Sequence, residues 1–131
     1  MTAARFTGVH TVAVPVRDQD TALAFYTGPL GLEVRFDAEL QPGFRWVDVA
    51  APGAATSLAL VRAGEESRAG VDTGIRLVTP DARAAHAALT EAGADVDELL
   101  LWGSAPPMFS FRDPDGNTLY ATEDATENPA G

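Results

Sequence analysis

The chain carries two copies of one sequence pattern, and this repeat constrains the fold more than any other feature. Each copy opens with an apolar, strand-like segment, which leads to an aspartate, an alanine-rich helical stretch and a glycine. The copies are VPVRDQDTALAFYTGPLGLEV (14–34) and LVTPDARAAHAALTEAGADV (77–96). Asp18 and Asp81 are corresponding residues, 63 positions apart. Self-similarity at this spacing predicts two supersecondary units that pack on each other.

Short apolar runs follow each helical stretch, separated by Pro-Gly and Pro-Pro breaks. The first copy has LEVRFDA, FRWVDVA and TSLALV, and the second has VDELLLW, MFSF and TLYAT. Each copy therefore predicts a βαβββ module, at approximately residues 8–62 and 72–123, with a tail at 124–131. Since a chain of this length buries about two-thirds of its unfolded surface, we expect one α+β domain spanning residues 1–131.

The helix boundaries are marked by residues with a clear physical role. Asp18 and Asp81 are expected to cap the two helices, because a carboxylate accepts hydrogen bonds from the free N–H groups of a first turn. Gly93 is expected to end the second helix. In that helix, one apolar stripe at helical spacing is formed by Ala85, Ala88, Leu89 and Ala92.

Composition and charge restrict the partners. The net charge is −10, with 19 acidic residues against nine basic residues, all arginine, so nucleic acid is not expected as a partner. The absence of cysteine excludes disulfides, thiolate metal ligands and cysteine nucleophiles. No apolar run is long enough to span a membrane, and the N-terminus does not resemble a secretory signal. A cytoplasmic protein is the expectation.

The stretch FRDPDGNTLY (111–120) has alternating oxygen-bearing side chains that resemble a calcium-binding loop. A calcium loop needs another ligand before its glycine and a glutamate near its end, and both are missing. Asp113-Pro114-Asp115-Gly116 instead matches the residue preferences of a type I turn. The turn is the favoured interpretation.

The tandem βαβββ pattern, the opening segment 14–34 and the closing FRDPDGNTLY together resemble the vicinal oxygen chelate superfamily. This superfamily includes glyoxalase I, methylmalonyl-CoA epimerase, extradiol dioxygenases, fosfomycin-resistance enzymes and bleomycin-binding proteins. The resemblance covers roughly residues 8–123. It implies a curved eight-stranded mixed sheet around a cavity, with helices on the convex face, and a homodimer.

The resemblance also implies where a divalent metal ion would be held in the enzymes of this superfamily. The corresponding positions in this chain are Thr11, either Ser57 or Ala59, Gly74, and Tyr120. Threonine, serine, alanine and glycine side chains are not usual protein ligands for such metals, and tyrosine is an uncommon one. A chain without a catalytic metal, and without another cofactor, is therefore expected.

Strand periodicity supports the same assignment of faces without using the family. Successive strand residues point to opposite faces, so the apolar series should face the helices. That series comprises Val12, Val14, Val16, Leu58, Leu60, Ile75, Leu77, Leu119 and Ala121. His10 falls with the valines, and metal binding there would require a bulge. His86, on the second helix, is expected to face solvent.

The side chains expected to face the cavity are candidates for binding a ligand. They are Thr11, Trp46, Asp48, Ser57, Arg76, Met108 and Tyr120. Arg76 is expected either to pair with Asp48 or to meet an anionic group of the ligand. Arg112 is expected to pair with an aspartate of the adjoining turn. Trp102, before the GSAPP break, is a candidate for a loop over the cavity mouth.

Three functions agree with these features. The leading hypothesis is a metal-independent protein that binds a small organic molecule, for antibiotic or metabolite sequestration of the bleomycin-resistance kind. The alternative is a lyase, isomerase or dioxygenase with an atypical site for a divalent metal ion. A third hypothesis is a dimeric accessory protein whose cavity is packed shut.

Overall fold

The computed structural model describes residues 2–124, which form two βαβββ units in chain order. The first unit contains β1 (Thr11–Val16), α1 (Gln19–Thr27), β2 (Glu33–Gln41), β3 (Phe44–Ala50) and β4 (Ser57–Arg62). The second unit contains β5 (Asp72–Thr79), α2 (Ala82–Glu91), β6 (Asp95–Val96), β7 (Met108–Arg112) and β8 (Thr118–Glu123). The predicted α+β fold of tandem modules is confirmed. Apart from Asp124, the predicted tail lies outside the described residues.

The eight strands form two four-stranded sheets, with the orders β1-β4-β3-β2 and β5-β8-β7-β6. Within each sheet the first and last strands of the module pair in parallel, and the other neighbours pair antiparallel. The two sheets thus repeat one topology. Among the described strands, β1 and β2 are the edge strands of the first sheet, and β5 and β6 are those of the second.

One predicted strand is much shorter than the sequence pattern indicates. The run VDELLLW pairs only through Val96, in the two-residue β6, and through an isolated bridge between Leu100 and Met108. Its acidic residue Asp97 instead holds the side chains of Ser110 and Arg112 on the neighbouring strand. Side-chain pairing has replaced a continuous ladder here.

Both helices begin after the predicted aspartates, and α2 ends just before Gly93, as predicted. The Asp18 carboxylate accepts from the backbone N–H groups of Asp20 and Thr21, and the Asp81 carboxylate accepts from that of Ala84. The hydrogen bonds from the backbone N–H groups of Thr21 and Asp20, with a third from the Thr21 hydroxyl, lower the pKa of Asp18. After α2, Gly93 adopts φ 85°, the left-handed conformation that ends a helix.

The apolar series predicted for the strands is buried or partly buried, although in β4 the burial does not alternate, since Ser57 and Ala59 are buried as well as Leu58 and Leu60. The core contains Val14, Val16, Tyr26, Val47, Val49, Leu58, Leu60, Leu89, Phe109, Phe111, Leu119 and Ala121, together with Ala22 and Ala82. Val12, Ile75 and Leu77 are partly buried against it. Side chains of both modules form this one cluster, so the faces of the sheets that carry the helices meet in a shared core.

The DPDGN turn lies between β7 and β8, as predicted. The N–H of Gly116 donates to the carbonyl of Asp113 at 2.9 Å, which closes a β-turn. The Asp113 carboxylate also accepts from the N–H groups of Asp115 and Asn117, at 2.9 Å each. These aspartates are buried, so their ligand-like spacing serves the turn itself.

The same turn fastens the second module to the first, and we call this contact the clasp (Arg17, Tyr26, Asp113, Asp115 and Asn117). The Tyr26 hydroxyl donates to Asp113 at 2.7 Å, and the Asn117 amide donates to the carbonyl of Pro15 at 2.7 Å. Arg17 forms a salt bridge with Asp115 at 3.1 Å. Burial, then the neighbouring Asp113 carboxylate, raises the pKa of Tyr26. A polar network that is satisfied in this way fixes one relative position of the modules.

The two described helices have nine and ten residues, and neither is long and apolar enough to span a membrane.

Candidate functional site

Three of the predicted cavity residues meet on the open face of the first sheet, meaning the face that points away from the helices. Thr11 and Ser57 are directly paired on β1 and β4, and the Ser57 hydroxyl donates to the Thr11 hydroxyl at 2.8 Å. Thr11 in turn lies 3.5 Å from a carboxylate oxygen of Asp48 on β3. The structure thus brings Thr11, Asp48 and Ser57 into one small polar group.

Trp46 lies on the same face of β3, two residues before Asp48. It is half-buried, and its ring meets the ring of Phe44 edge-on, with centroids 6.2 Å apart. Phe36 on β2 pairs opposite Asp48 and is 43% exposed. The open face of the first sheet therefore combines aromatic side chains with the carboxylate of Asp48.

The second open face carries a different group, built around Arg76 and Tyr120, which are directly paired on β5 and β8. The Arg76 guanidinium lies over the Tyr120 ring, 4.3 Å from its centroid. The Tyr120 hydroxyl donates to Asp72 at 2.7 Å, and the N–H of Gly74 donates to the same carboxylate at 3.1 Å. The bond from Tyr120, with that from Gly74, lowers the pKa of Asp72, and the bond to Asp72 raises the pKa of Tyr120.

Met108 occupies the neighbouring strand β7, opposite Thr122, and is half-buried. Nearby on β7, Arg112 forms a salt bridge with Asp97 at 2.9 Å and lies 3.8 Å from Asp95. The expectation that Arg112 pairs with the adjoining turn is therefore wrong. The clasp has taken the aspartates of the turn, and the β6–β7 pairing brings Asp95 opposite Arg112.

The predicted residues thus form two groups, one on each sheet. The hydrogen bonds and ion pairs of the described residues do not join Arg76 to Asp48, so the hypothesis of that pair is wrong. Asp48 interacts with Thr11 on the first sheet, whereas Arg76 stacks on Tyr120 on the second. The sequence pattern predicts which face a side chain takes, but it does not place the two sheets relative to each other.

A cavity of about 880 Å³ lies along the free edge of β5. Consecutive β5 residues from Thr73 onward line it, so the cavity reaches both faces of the second sheet at this edge. The opposite wall comes from the first module, through Leu30 and the β3–β4 connection around Pro52. Apolar side chains dominate the wall, and Arg76 is the one charged residue among the described residues that line it.

The cavity is the counterpart of the clasp under the internal repeat. Tyr26 corresponds in sequence to Leu89, and Leu89 lines the cavity. Where the second module closes on Tyr26 with DPDGN, the first module offers the β3–β4 connection APGAAT (51–56) near Leu89. The small side chains of this segment fill less space, and its hydrogen bonds, from Arg35 to the carbonyls of Ala51 and Ala54 and from Thr56 to the carbonyl of Val9, stay within the first module. One half of the pseudosymmetric interface is closed by hydrogen bonds, and the other half is open.

This cavity was missed by reasoning from the sequence, which looked for it on the open faces. Trp102 is 63% exposed and does not line it. Of the predicted site residues, Arg76 borders it. The signal available in the sequence was the contrast between DPDGN and the alanine-rich segment at the corresponding place in the first copy.

The side chains at the metal-ligand positions implied by the superfamily do not fit a metal ion. Thr11 and Ser57 bond to each other, Gly74 has no side chain, and Tyr120 is bonded to Asp72. Among residues 2–124, no three His, Asp or Glu side chains are grouped so that they could hold a metal ion. His86 is half-buried against Phe109, with ring centroids 5.1 Å apart, and is not the solvent-facing residue that was expected.

Known structures share this fold over nearly the whole chain. A superfamily member from Sphaerobacter thermophilus DSM 20745 is 37% identical, with a TM-score of 0.85, and the match covers 91% of this chain and 98% of that one. TnmS3, an antibiotic binding protein from Streptomyces sp. CB03234, is 33% identical, with a TM-score of 0.82, over 93% of this chain and 98% of that one.

The protein YetH of Bacillus subtilis (strain 168) is 28% identical over 88% of this chain and 97% of its own length. The model of the Glyoxalase/Bleomycin resistance protein/Dioxygenase superfamily matches residues 8–120. These residues include the first module, the second module as far as Tyr120 in β8, the clasp and every predicted site residue. The chain therefore belongs to the Glyoxalase/Bleomycin resistance protein/Dioxygenase superfamily.

Proposed function

We propose that this protein binds a small organic molecule in the cavity along β5, without a metal ion. The observation that carries this proposal is the cavity itself, whose volume of about 880 Å³ and mainly apolar wall are typical of sites for small organic ligands. An apolar wall favours a ligand with a large apolar surface, because burying that surface removes it from water.

Sequestration of an antibiotic or metabolite is the form of binding that we favour. The likeness to TnmS3, an antibiotic binding protein that is 33% identical over most of both chains, supports this choice. A protein of this kind needs affinity and a shaped cavity, and it does not need a Lewis acid. Thr11, Ser57, Gly74 and Tyr120 provide no set of metal ligands, which supports metal-independent binding over a glyoxalase-like or dioxygenase-like enzyme.

We also propose that the protein forms a homodimer, as the resemblance to the superfamily implies, and that it is cytoplasmic. Every residue of β2 is exposed, including several large apolar ones. Val34, Phe36 and Leu40, with Phe44 of β3, are between 43% and 54% exposed. A second copy that covers this surface would remove it from water. Sedimentation equilibrium is expected to give twice the chain mass, and a single-chain mass at micromolar concentration would contradict the dimer.

Cavity binding is tested with N-phenylnaphthylamine, a neutral aromatic probe whose fluorescence rises in apolar surroundings. Ala88 is an exposed α2 residue that lines the cavity, so Ala88→Trp is expected to fill it and abolish binding. Ala87→Trp is the matched control, because Ala87 is exposed on the same helix and does not line the cavity. Equal probe binding by Ala88→Trp and the wild type would refute the cavity as the site.

A thermal-shift screen of aromatic metabolites and antibiotics identifies natural ligands with the same variants. A ligand at about 100 times its dissociation constant is expected to add about 2.7 kcal/mol to the free energy of unfolding of the wild type. Elemental analysis of the purified protein accompanies the screen. Stoichiometric bound metal, with turnover of a hemithioacetal or a catechol, would support the enzyme hypothesis instead.

A further inference from the structure

Arg76 combines a place at the cavity with a guanidinium that forms no salt bridge among the described residues. It is the one charged residue among the described residues that line the cavity. The salt bridges of the described residues occupy Arg17, Arg45 and Arg112, and none of them includes Arg76. The Asp72 carboxylate interacts with the charge of Arg76, but it accepts its hydrogen bonds from Tyr120 and Gly74, so the donors of Arg76 at the cavity are candidates for binding an anion.

The guanidinium of Arg76 is held in place although it is exposed. One face stacks on the Tyr120 ring, 4.3 Å from the centroid, and Nη1 donates to the carbonyl of Gly74 at 2.8 Å. Tyr120 is itself oriented by its bond to Asp72 at 2.7 Å. Stacking fixes the plane of the guanidinium and leaves its edge available, and that edge carries donors matched to an oxyanion.

The cavity reaches Arg76 because it follows the edge of a strand. Ile75 and Leu77 line it from the helix-facing side of β5, and Arg76 and Val78 line it from the open side. A single ligand that passes along this edge contacts apolar side chains and the positive charge together. The cavity therefore has an apolar part beside Ile75 and Leu77 and a charged part at Arg76.

We propose that the ligand carries an oxyanion, a carboxylate, sulfonate or phosphate, which binds Arg76 while the apolar body of the ligand occupies the cavity. This inference rests on the proposed function. Tyr120 is a positioning residue in this arrangement, since its ring holds the guanidinium and its hydroxyl is bonded to Asp72. Asp72 holds Tyr120 in turn.

Two probes with the same rings test the proposal. Anilinonaphthalenesulfonate carries a sulfonate, and N-phenylnaphthylamine is the same frame without it. A hydrogen-bonded pair with a charged group corresponds to a change of at least about tenfold in the dissociation constant. Arg76→Met is therefore expected to weaken binding of the sulfonate probe by at least about tenfold, and to change that of the neutral probe by less than about twofold.

Arg83→Met is the matched control. Arg83 is exposed on α2 and does not line the cavity, and its replacement changes the net charge by the same amount. It is expected to leave both dissociation constants unchanged. Unchanged affinity of Arg76→Met for the neutral probe shows that its cavity is intact.

The positioning role has its own pair of variants. Tyr120→Leu removes the ring under the guanidinium. It is expected to weaken binding of the sulfonate probe by about threefold, as stacking at an exposed site implies, and to leave binding of the neutral probe unchanged. Tyr120→Phe keeps the ring and is expected to stay within about twofold of the wild type.

The outcomes separate the two claims. If the neutral probe binds the wild type and is lost in Ala88→Trp, but the sulfonate probe does not distinguish Arg76→Met from Arg83→Met, the anion proposal is wrong and the cavity remains. If the neutral probe does not bind the wild type, both proposals are overturned. Selective loss of the sulfonate probe in Arg76→Met supports the proposal.

Discussion

The hydroxyl of Tyr26 is the best single place to test the clasp. It donates to Asp113 at 2.7 Å, with Tyr26 fully buried and Asp113 5% exposed. Tyr26→Phe removes that bond and keeps the ring. Asp113 retains the bonds from Asp115 and Asn117, so we expect the loss of one hydrogen bond to a charged group, about 1.5–3 kcal/mol of the free energy of unfolding near neutral pH.

A second consequence appears at alkaline pH. Burial and Asp113 raise the pKa of Tyr26 in the folded protein, whereas the unfolded phenol titrates near pH 10. The contribution of Tyr26 to the free energy of unfolding is complete below about pH 10. It is lost as the pH rises above that value, because the unfolded state then binds fewer protons than the folded state. With Tyr26 protonated throughout, the free energy of unfolding falls by about 1.4 kcal/mol on reaching pH 11.

This chain is well suited to the measurement. It contains no lysine and no cysteine, and its two tyrosines are the side chains that ordinarily titrate between about pH 9 and 11. Urea denaturation of the wild type and Tyr26→Phe across that range gives both profiles, and tyrosinate absorbance follows Tyr120. The wild type should lose stability more steeply than the variant. Parallel profiles would show that Tyr26 ionises freely in the folded state and would refute the reasoning.

Two further substitutions test the fold. Asn117→Ala removes the amide that donates to Pro15 and accepts from the N–H groups of Gly70 and Val71, so urea denaturation should show a loss of about 3–5 kcal/mol; a loss below about 1 kcal/mol would contradict the clasp. Gly93→Ala should cost about 1 kcal/mol by the same assay, since φ is 85°, whereas Gly64→Ala, with open space and no positive φ, should be near neutral. Equal effects of the two would contradict the conformational argument.

The asymmetry of the two halves links the fold to the proposed function. The internal repeat of one βαβββ unit creates two equivalent interfaces between the modules. Buried hydrogen bonds of Tyr26 and Asn117 close one of them. At the other, Leu89 and the alanine-rich β3–β4 connection leave the cavity. With a rigid contact on one side and an apolar space on the other, the proposed ligand would bind without requiring the modules to separate.

Much of the architecture was predictable because it depends on local chemistry. Asp18 and Asp81 cap helices through bonds to their own first turns, and Asp113 closes a turn with a residue three positions away. The alternation of valines and leucines assigned the strand faces, because a strand places neighbouring side chains on opposite sides. The one strand that was overestimated, VDELLLW, has the right composition but pairs only through Val96 in β6 and through the bridge at Leu100.

The sequence by itself determined the repeated unit, its turns and caps, and the face that each strand residue takes, since these depend on contacts within a few residues. Tertiary structure alone decided which distant side chains meet. It joined Tyr26 to Asp113, 87 positions away, and Asp72 to Tyr120, 48 positions away. It also separated Arg76 from Asp48 and opened the cavity beside β5, because the space between two modules depends on how their surfaces fit and not on the pattern of either one.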